Sequence, residues 1–172
     1  LHLCDRRQRQ MCIRDRFRYL TEKLNGYITG AYIYNKMGLT EQVATTITIA
    51  TPNPVRRFRF KNLDIECVKA YCMVYPDESL VPYLRLLDAI KDMKRIPGTT
   101  GQDIYNRVKS QYFNGYSLPE LEKIVSLAKS YPPRVRKVVA DILGDIRQTV
   151  LQTEMAKTIL PTTRFNLDYK TA

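Results

Sequence analysis

The sequence is poor in the residues on which most catalytic and metal sites depend. Its 172 residues include no Trp, one His and four Cys. Catalytic triads that need His, and metal sites that need His and Cys, therefore have few candidate residues. We expect no catalytic residue, metal or cofactor. No apolar run approaches about 18 residues, which predicts no membrane span. No charged and then apolar leader precedes a cleavage site, so a cytoplasmic protein is expected.

Positive charge is the most abundant functional feature of the sequence. Lys and Arg number 28 against 17 Asp and Glu, for a formal net charge of +11. Hydrophobic residues make up 44% of the chain, which is enough for one packed domain. The basic balance favours an acidic partner, and nucleic acid is the first candidate.

Residues 1–16 differ in composition from the rest of the chain. They read LHLCDRRQRQMCIRDR and show neither a helical nor a strand period. The string resembles translated sequencing-adapter read-through, and the alternative is a basic N-terminal arm that reaches DNA. We exclude it from the fold prediction. Removing its net charge of +3 leaves +8 for residues 17–172, whose remaining Cys67 and Cys72 are expected to be small buried side chains.

Residues 17–148 predict an α+β domain: a short helix, a small antiparallel β-sheet and then a C-terminal bundle of about four α-helices. Thr29 is expected to cap the helix that carries Ile33 and Met37. Capping boxes at Thr100 and Ser117 mark two helices of the bundle. Residues 149–172 predict a helix end and an extended tail, docked through Phe165 and Leu167.

A tight hairpin is predicted at Lys61-Asn62, between VRRFRF and LDIECVKA. This register places Phe58 opposite Ile65 and Phe60 opposite Leu63 on the buried face. It places oppositely charged residues against each other on the wet face. Those two pairs are Arg57 with Glu66 and Arg59 with Asp64.

Two groups of basic residues are candidates for contact with nucleic acid or another acidic partner. Arg56 and Lys61 remain uncommitted in the predicted hairpin, although a solvated hairpin is the alternative. Arg134, Arg136 and Lys137 lie at the start of a predicted helix, where positive charge opposes the helix dipole. An acidic partner would compensate that charge, and an ordinary solvated face is the alternative.

Two sets of carboxylates invite other interpretations. Asp64, Glu66 and Lys69 suggest a metal-dependent nuclease, but a regular strand places Glu66 and Lys69 on opposite faces. Asp88 and Asp92 lie one helical turn apart and would suit a metal. Ordinary surface pairs with Lys91 and Arg95 are the alternative.

Several segments, in order, resemble the AbiEi-type antitoxin family over residues 17–148. They are GYITGAYIYNKMGLTEQV (26–43), ITIAT (47–51), CVKAY (67–71), LLDAIKDMKRIP (86–97) and YPPRVRKVVADIL (131–143). The resemblance implies an N-terminal winged helix-turn-helix that binds operator DNA and a C-terminal α/β domain with the antitoxin function. It also implies a nucleotidyltransferase-like toxin as the functional counterpart.

No winged helix-turn-helix is recognisable ahead of Gly26. The resemblance therefore predicts the C-terminal regulatory domain of an antitoxin-like transcriptional repressor of a type IV, abortive-infection system, which is not an enzyme. Its partners would be operator DNA, mainly through the missing domain, and the toxin, with self-association left open. The alternatives are a restriction-endonuclease-like nuclease or nucleotide-processing domain and a protein-interaction module that docks through its C-terminal tail.

Overall fold

The computed structural model describes residues 12–72, 77–166 and 169. These residues form an α+β fold of seven α-helices and a four-stranded sheet, which confirms the predicted fold class. A one-turn 3-10 helix, Phe113–Gly115, joins two of the helices. The elements in chain order are α1 (Ile13–Leu24), β1 (Tyr27–Thr29), α2 (Ala31–Lys36), β2 (Thr46–Thr51), β3 (Arg56–Phe60), β4 (Leu63–Lys69), α3 (Val81–Asp92), α4 (Gly101–Gln111), α5 (Leu118–Ala128), α6 (Pro133–Asp145) and α7 (Thr149–Lys157).

The sheet is mixed, so the prediction of an antiparallel sheet was wrong. Its order is β1-β2-β4-β3, and β2 runs parallel to β4, with Thr48 beside Glu66. The chain therefore passes β3 at the edge and returns through β4 to the centre. Burial explains this order, because Ile65 and Cys67 of β4 are fully buried whereas β3 exposes its arginines. A charged strand is suited to a sheet edge.

The predicted hairpin is confirmed in every pair. Arg57 lies opposite Glu66 and Arg59 opposite Asp64. The turn residues Lys61 and Asn62 have φ angles of 44° and 67°, the left-handed conformation that a two-residue hairpin turn requires. The short separation of the two strands let the sequence determine this register.

One face of the sheet packs against α1 and α2. This core contains Leu20 and Leu24 of α1, together with Ile47, Ile49 and Ile65 of the sheet. Helix α1 begins at Ile13, four residues before the predicted start. Arg16, in the segment excluded from the fold prediction, donates a hydrogen bond to the Lys61 carbonyl oxygen at 3.1 Å.

The segment before α2 also differs from the prediction. Residues 27–29 form strand β1, which pairs antiparallel with β2, and Gly30 rather than Thr29 is the N-cap of α2. Three residues are too few to show a strand period, which is why the sequence did not reveal β1. Gly38 follows the helix with a φ of 72°, as predicted.

The other face of the sheet carries the helical bundle, in which the described residues form five helices, α3 to α7, where about four were predicted. The capping box at Ser117 is confirmed, since the Ser117 amide donates to Glu120 at 2.8 Å. Thr100 is the N-cap of α4 and accepts a hydrogen bond from the Asp103 amide at 3.1 Å, but the Asp103 carboxylate bonds to the Thr100 hydroxyl rather than to its amide. Helix α7 was missed because it buries little more than Leu151 and Met155. No helix among the described residues has the length and apolar composition needed to cross a membrane.

The C-terminal segment docks through a residue that the sequence did not indicate. Phe165 is only half-buried, and Leu167 lies outside the described residues. Tyr169 is 2% exposed, stacks on Tyr105 with ring centroids 5.0 Å apart and donates a hydrogen bond to Asp141. Of the two cysteines, Cys67 is buried as predicted, whereas Cys72 is half-buried.

Candidate functional site: a cation-lined cavity

A cavity of about 640 Å³ lies where the sheet, the end of α3 and the start of α6 meet. Its wall carries five cationic side chains and two carboxylates. The cations are Lys69, Lys91, Lys94, Arg95 and Arg134, and the carboxylates are Glu66 and Asp92. The cavity wall therefore has an excess of positive charge, which attracts an anionic ligand.

The floor of the cavity is formed where the backbone of Gly30 lies against the side chain of Thr48. Gly30 and Thr48 both line it, and Gly30 has a φ of 77°. A Cβ atom on Gly30 would lie 2.6 Å from the Thr48 hydroxyl oxygen. Only glycine therefore lets α2 start this close to β2.

The end of α3 supplies three of the cations. Lys91 lies in its last turn, and Lys94 and Arg95 follow in the segment that Ile96 anchors, since Ile96 is only 5% exposed. Cations are favourable at the C-terminal end of a helix because the carbonyl groups there carry partial negative charge. The KDMKR stretch (91–95) thus projects positive charge while the core holds its backbone.

Two lysines meet over one aromatic ring of the wall. The ammonium nitrogens of Lys91 and Lys69 lie 5.4 and 5.9 Å from the Tyr71 ring centroid. Tyr71 is itself stacked on the buried Tyr131, with ring centroids 5.1 Å apart. Cation–π attraction and this stacking hold positive charge from β4 and α3 on the same side of the cavity.

Both carboxylates of the cavity wall have donors of their own. Glu66 accepts a hydrogen bond from Arg57 Nε at 2.9 Å, across the hairpin. Asp92 accepts one from the Tyr34 hydroxyl at 2.7 Å and lies 3.9 Å from the Lys91 ammonium. Within the described part of the chain, neither Lys69 nor Arg95 forms an ion pair. The negative charge of the wall is therefore largely compensated, whereas these two cations keep theirs available.

Asp88 contacts Thr29 and Lys91 of the cavity wall and joins the sheet to the bundle. It is 2% exposed and accepts hydrogen bonds of 2.8 Å from the hydroxyls of Tyr27, Thr29 and Tyr131. Burial raises the pKa of its carboxyl group, while the Lys91 ammonium 3.8 Å away opposes that rise. Burial raises the pKa of Tyr27 and of Tyr131 above the usual value of a tyrosine, and the negative charge of Asp88 raises both further. The pair of Asp88 with Lys91 that the sequence offered as an alternative is therefore present, but Asp88 is buried rather than at the surface, because helical spacing does not show which face is covered.

The five basic residues singled out in the sequence do not meet at one place. Arg134 lines the cavity. Arg136 donates a hydrogen bond to the Thr158 carbonyl oxygen, and Lys137 donates one to Asp141 at 2.9 Å. These two residues therefore tie α6 to neighbouring parts of the fold and to itself.

The remaining two candidates lie on the hairpin, outside the lining of the cavity. The Arg56 guanidinium lies 5.1 Å from the ring centroid of Phe58, and the Lys61 ammonium lies 5.6 Å from that of Phe60. Both residues are exposed. They form a second and separate basic surface.

Four cations of the cavity were not predicted from the sequence. Lys69, Lys91, Lys94 and Arg95 come from two stretches more than twenty residues apart, and the sequence offered Lys91 and Arg95 only as members of surface pairs. The one usable signal was the concentration of three cations in KDMKR (91–95). Only the tertiary contact between β4 and α3 shows that Lys69 belongs with them.

The carboxylates of the nuclease alternative are tied to arginines. Glu66 is paired with Arg57, and Asp64 lies 3.7 Å from Arg59. Glu66 and Lys69 both line the cavity, and Lys69 is the last residue of β4. In the described ranges, no cluster of three or more His, Cys, Asp or Glu side chains is placed to hold a metal ion.

Comparison with family models, curated proteins and solved structures gives no match for this chain.

The chemistry of the cavity is that of an anion receptor. Ammonium and guanidinium groups donate charge-assisted hydrogen bonds to phosphate or carboxylate oxygens, and arginine does so with a planar fork.

Proposed function

We propose that this chain is the C-terminal regulatory domain of an antitoxin-like transcriptional repressor of a type IV toxin–antitoxin system. In this proposal it acts in the cytoplasm, contacts DNA and performs no catalysis. The observation that carries the proposal is the excess of positive charge in the cavity wall, five cations against two carboxylates. The resemblance of residues 17–148 to AbiEi-type antitoxins supports the same class of partner.

The cations account for affinity rather than for sequence recognition. Lysine and arginine neutralise backbone phosphates and release counterions, which gives binding that is independent of sequence and sensitive to salt. The operator sequence would be read by the winged helix-turn-helix that the resemblance implies. This domain would strengthen and orient that complex, and the nucleotidyltransferase-like toxin would be its functional counterpart.

The test is the binding of a labelled duplex of about 20 base pairs, measured by fluorescence anisotropy from about 50 to 300 mM salt. The cavity variant combines Lys94→Gln, Arg95→Gln and Arg134→Gln. Its control combines Lys123→Gln, Lys157→Gln and Arg164→Gln, which remove the same charge from exposed positions outside the cavity. A third variant, Arg56→Gln with Lys61→Gln, measures the contribution of the hairpin.

We expect the cavity variant to lose about tenfold or more in DNA affinity at the lowest salt concentration. The slope of its logarithmic affinity against logarithmic salt concentration should fall by the amount that corresponds to about two phosphate contacts. The control variant should lose much less. Absence of salt-dependent binding by the unaltered chain would overturn the proposal. So would equal losses in the cavity and control variants.

A further inference from the structure

The shape of the basic cavity is unlike that of a surface made only for a DNA backbone. A duplex presents its phosphates along a convex rod, about one charge per 1.7 Å of axis, and exposed cations on a flat or protruding surface reach them. The cations found here surround a concave space of about 640 Å³. That volume lies within the range of about 300–1,000 Å³ that is typical of small-molecule sites.

The cations approach this space from three elements of the fold. Lys69 comes from the end of β4, Arg95 from the segment after α3, and Arg134 from α6. All three side chains line the same space, so an anion held there has positive charge from three elements around it. Lys69 and Arg95 have no carboxylate partner among the described residues, so a ligand displaces no ion pair of theirs.

The aromatic residues of the wall leave little room for recognition of a base. Tyr34 is 2% exposed and its hydroxyl is committed to Asp92. Tyr71 is stacked on Tyr131, and the ammonium groups of Lys69 and Lys91 lie near its ring. Neither ring offers a free face on which a nucleobase would stack. The wall therefore selects phosphate charge rather than a base.

We propose that the cavity binds a small ligand that carries a diphosphate or triphosphate group, and that this ligand competes with DNA for the same cations. The charge excess of the wall, five cations against two carboxylates, matches the several negative charges of such a group. The competition rests on the function proposed above, whereas the ligand site does not. The ligand would thus act as an effector that weakens DNA binding.

Isothermal titration calorimetry at about 50 mM salt tests the site with inorganic pyrophosphate, ADP and adenosine. We expect pyrophosphate and ADP to bind with similar affinity and adenosine to give no binding heat, because the cavity contacts phosphate. Lys69→Gln and Arg95→Gln should each weaken pyrophosphate binding about fivefold or more. Lys123→Gln, on an exposed part of α5, should leave it unchanged.

Folding is checked by urea denaturation of each variant, and both cavity residues are exposed, so neither substitution uncovers the core. The site proposal is overturned if pyrophosphate gives no heat or if Lys123→Gln weakens binding as much as the cavity variants do. Tighter binding of ADP than of pyrophosphate by about tenfold or more would also contradict it, since a base would then be recognised.

The competition between ligand and DNA is tested by the fluorescence anisotropy of the labelled duplex bound to the protein. Pyrophosphate is added in one titration, and sodium chloride of equal ionic strength is added in the other. Release of DNA by pyrophosphate beyond the chloride effect supports it, and equal release overturns it. Pyrophosphate binding in a chain that does not bind DNA would refute the proposed function and leave the ligand site standing. DNA binding without pyrophosphate binding would refute the ligand site and leave the proposed function standing.

Discussion

Asp88 shows at the scale of one residue how the fold accommodates a buried carboxylate. Three hydroxyl groups, from β1 and from the segment before α6, donate to its two oxygens at 2.8 Å each. A buried polar group costs about 1–3 kcal/mol when it loses its partners, so this arrangement is stable only while all three donors are present. Asp88 thereby makes the contact between sheet and bundle specific.

The substitution Asp88→Asn should destabilise the chain by about 2 kcal/mol, because the new amide brings donors to a place that already holds three hydroxyl donors. Urea denaturation near neutral pH measures the change. The control is Glu122→Gln, the same change from acid to amide at an exposed position of α5. A loss at Asp88 no larger than that of the control would contradict the network.

The pH dependence of stability gives a second test at the same residue. Burial raises the pKa of the Asp88 carboxyl, so the folded state favours its protonated form. Its contribution to stability is then complete below the pKa of the unfolded chain and declines as the pH rises through the folded-state pKa. The free-energy difference between the unaltered chain and Asp88→Asn should therefore be larger near about pH 4 than near about pH 8. A difference that grows with pH would mean that the hydroxyl donors favour the ionised carboxylate more than burial disfavours it.

At the scale of the element, the start of α2 depends on a single glycine. Gly30 combines a positive φ with a position directly against the side chain of Thr48. Helix α2 and strand β2 must approach each other this closely to form the cavity floor. Local chain conformation and cavity shape are thus coupled at this residue.

Gly30→Ala should lower the free energy of unfolding by about 2–3 kcal/mol, because alanine is strained in this backbone conformation and its Cβ meets Thr48. Gly101→Ala is the matched control. It lies at the first position of α4 with no atom within 4 Å of the added Cβ, and it should stabilise the chain by about 0.5–1 kcal/mol. Equal effects in urea denaturation would show that the close approach is absent.

At the scale of the whole molecule, Tyr169 ties the C-terminal segment to the bundle. It lies between α4 and α6, stacked on Tyr105 and bonded to Asp141 at 3.0 Å. Asp141 also accepts a hydrogen bond from the Lys137 ammonium group. The bundle is therefore completed by a residue beyond its last helix.

We expect Tyr169→Ala to destabilise the chain by about 3 kcal/mol, because a buried aromatic ring is removed. Tyr169→Phe keeps the ring and loses only the hydrogen bond to Asp141, so its cost should be about 1 kcal/mol. Thermal or urea denaturation of both variants separates packing from hydrogen bonding. A loss below about 1 kcal/mol for the alanine variant would show that the ring is dispensable to the fold.

The features that the sequence alone determined are local ones. The β3–β4 register follows from side-chain pairing across a two-residue turn, and the helix N-caps at Thr100 and Ser117 follow from spacings of three residues. Each involves partners close in the chain, so few alternatives compete.

Tertiary structure alone decided the features that join distant segments. They are the parallel pairing of β2 with β4, the burial of Asp88 and the meeting of Lys69, Arg95 and Arg134 around one cavity. Periodicity shows that a residue lies on one face of its element, but not which other element covers that face. The sequence therefore predicted a basic α+β domain, and the packing of the sheet against α3 and α6 determined where its positive charge is concentrated.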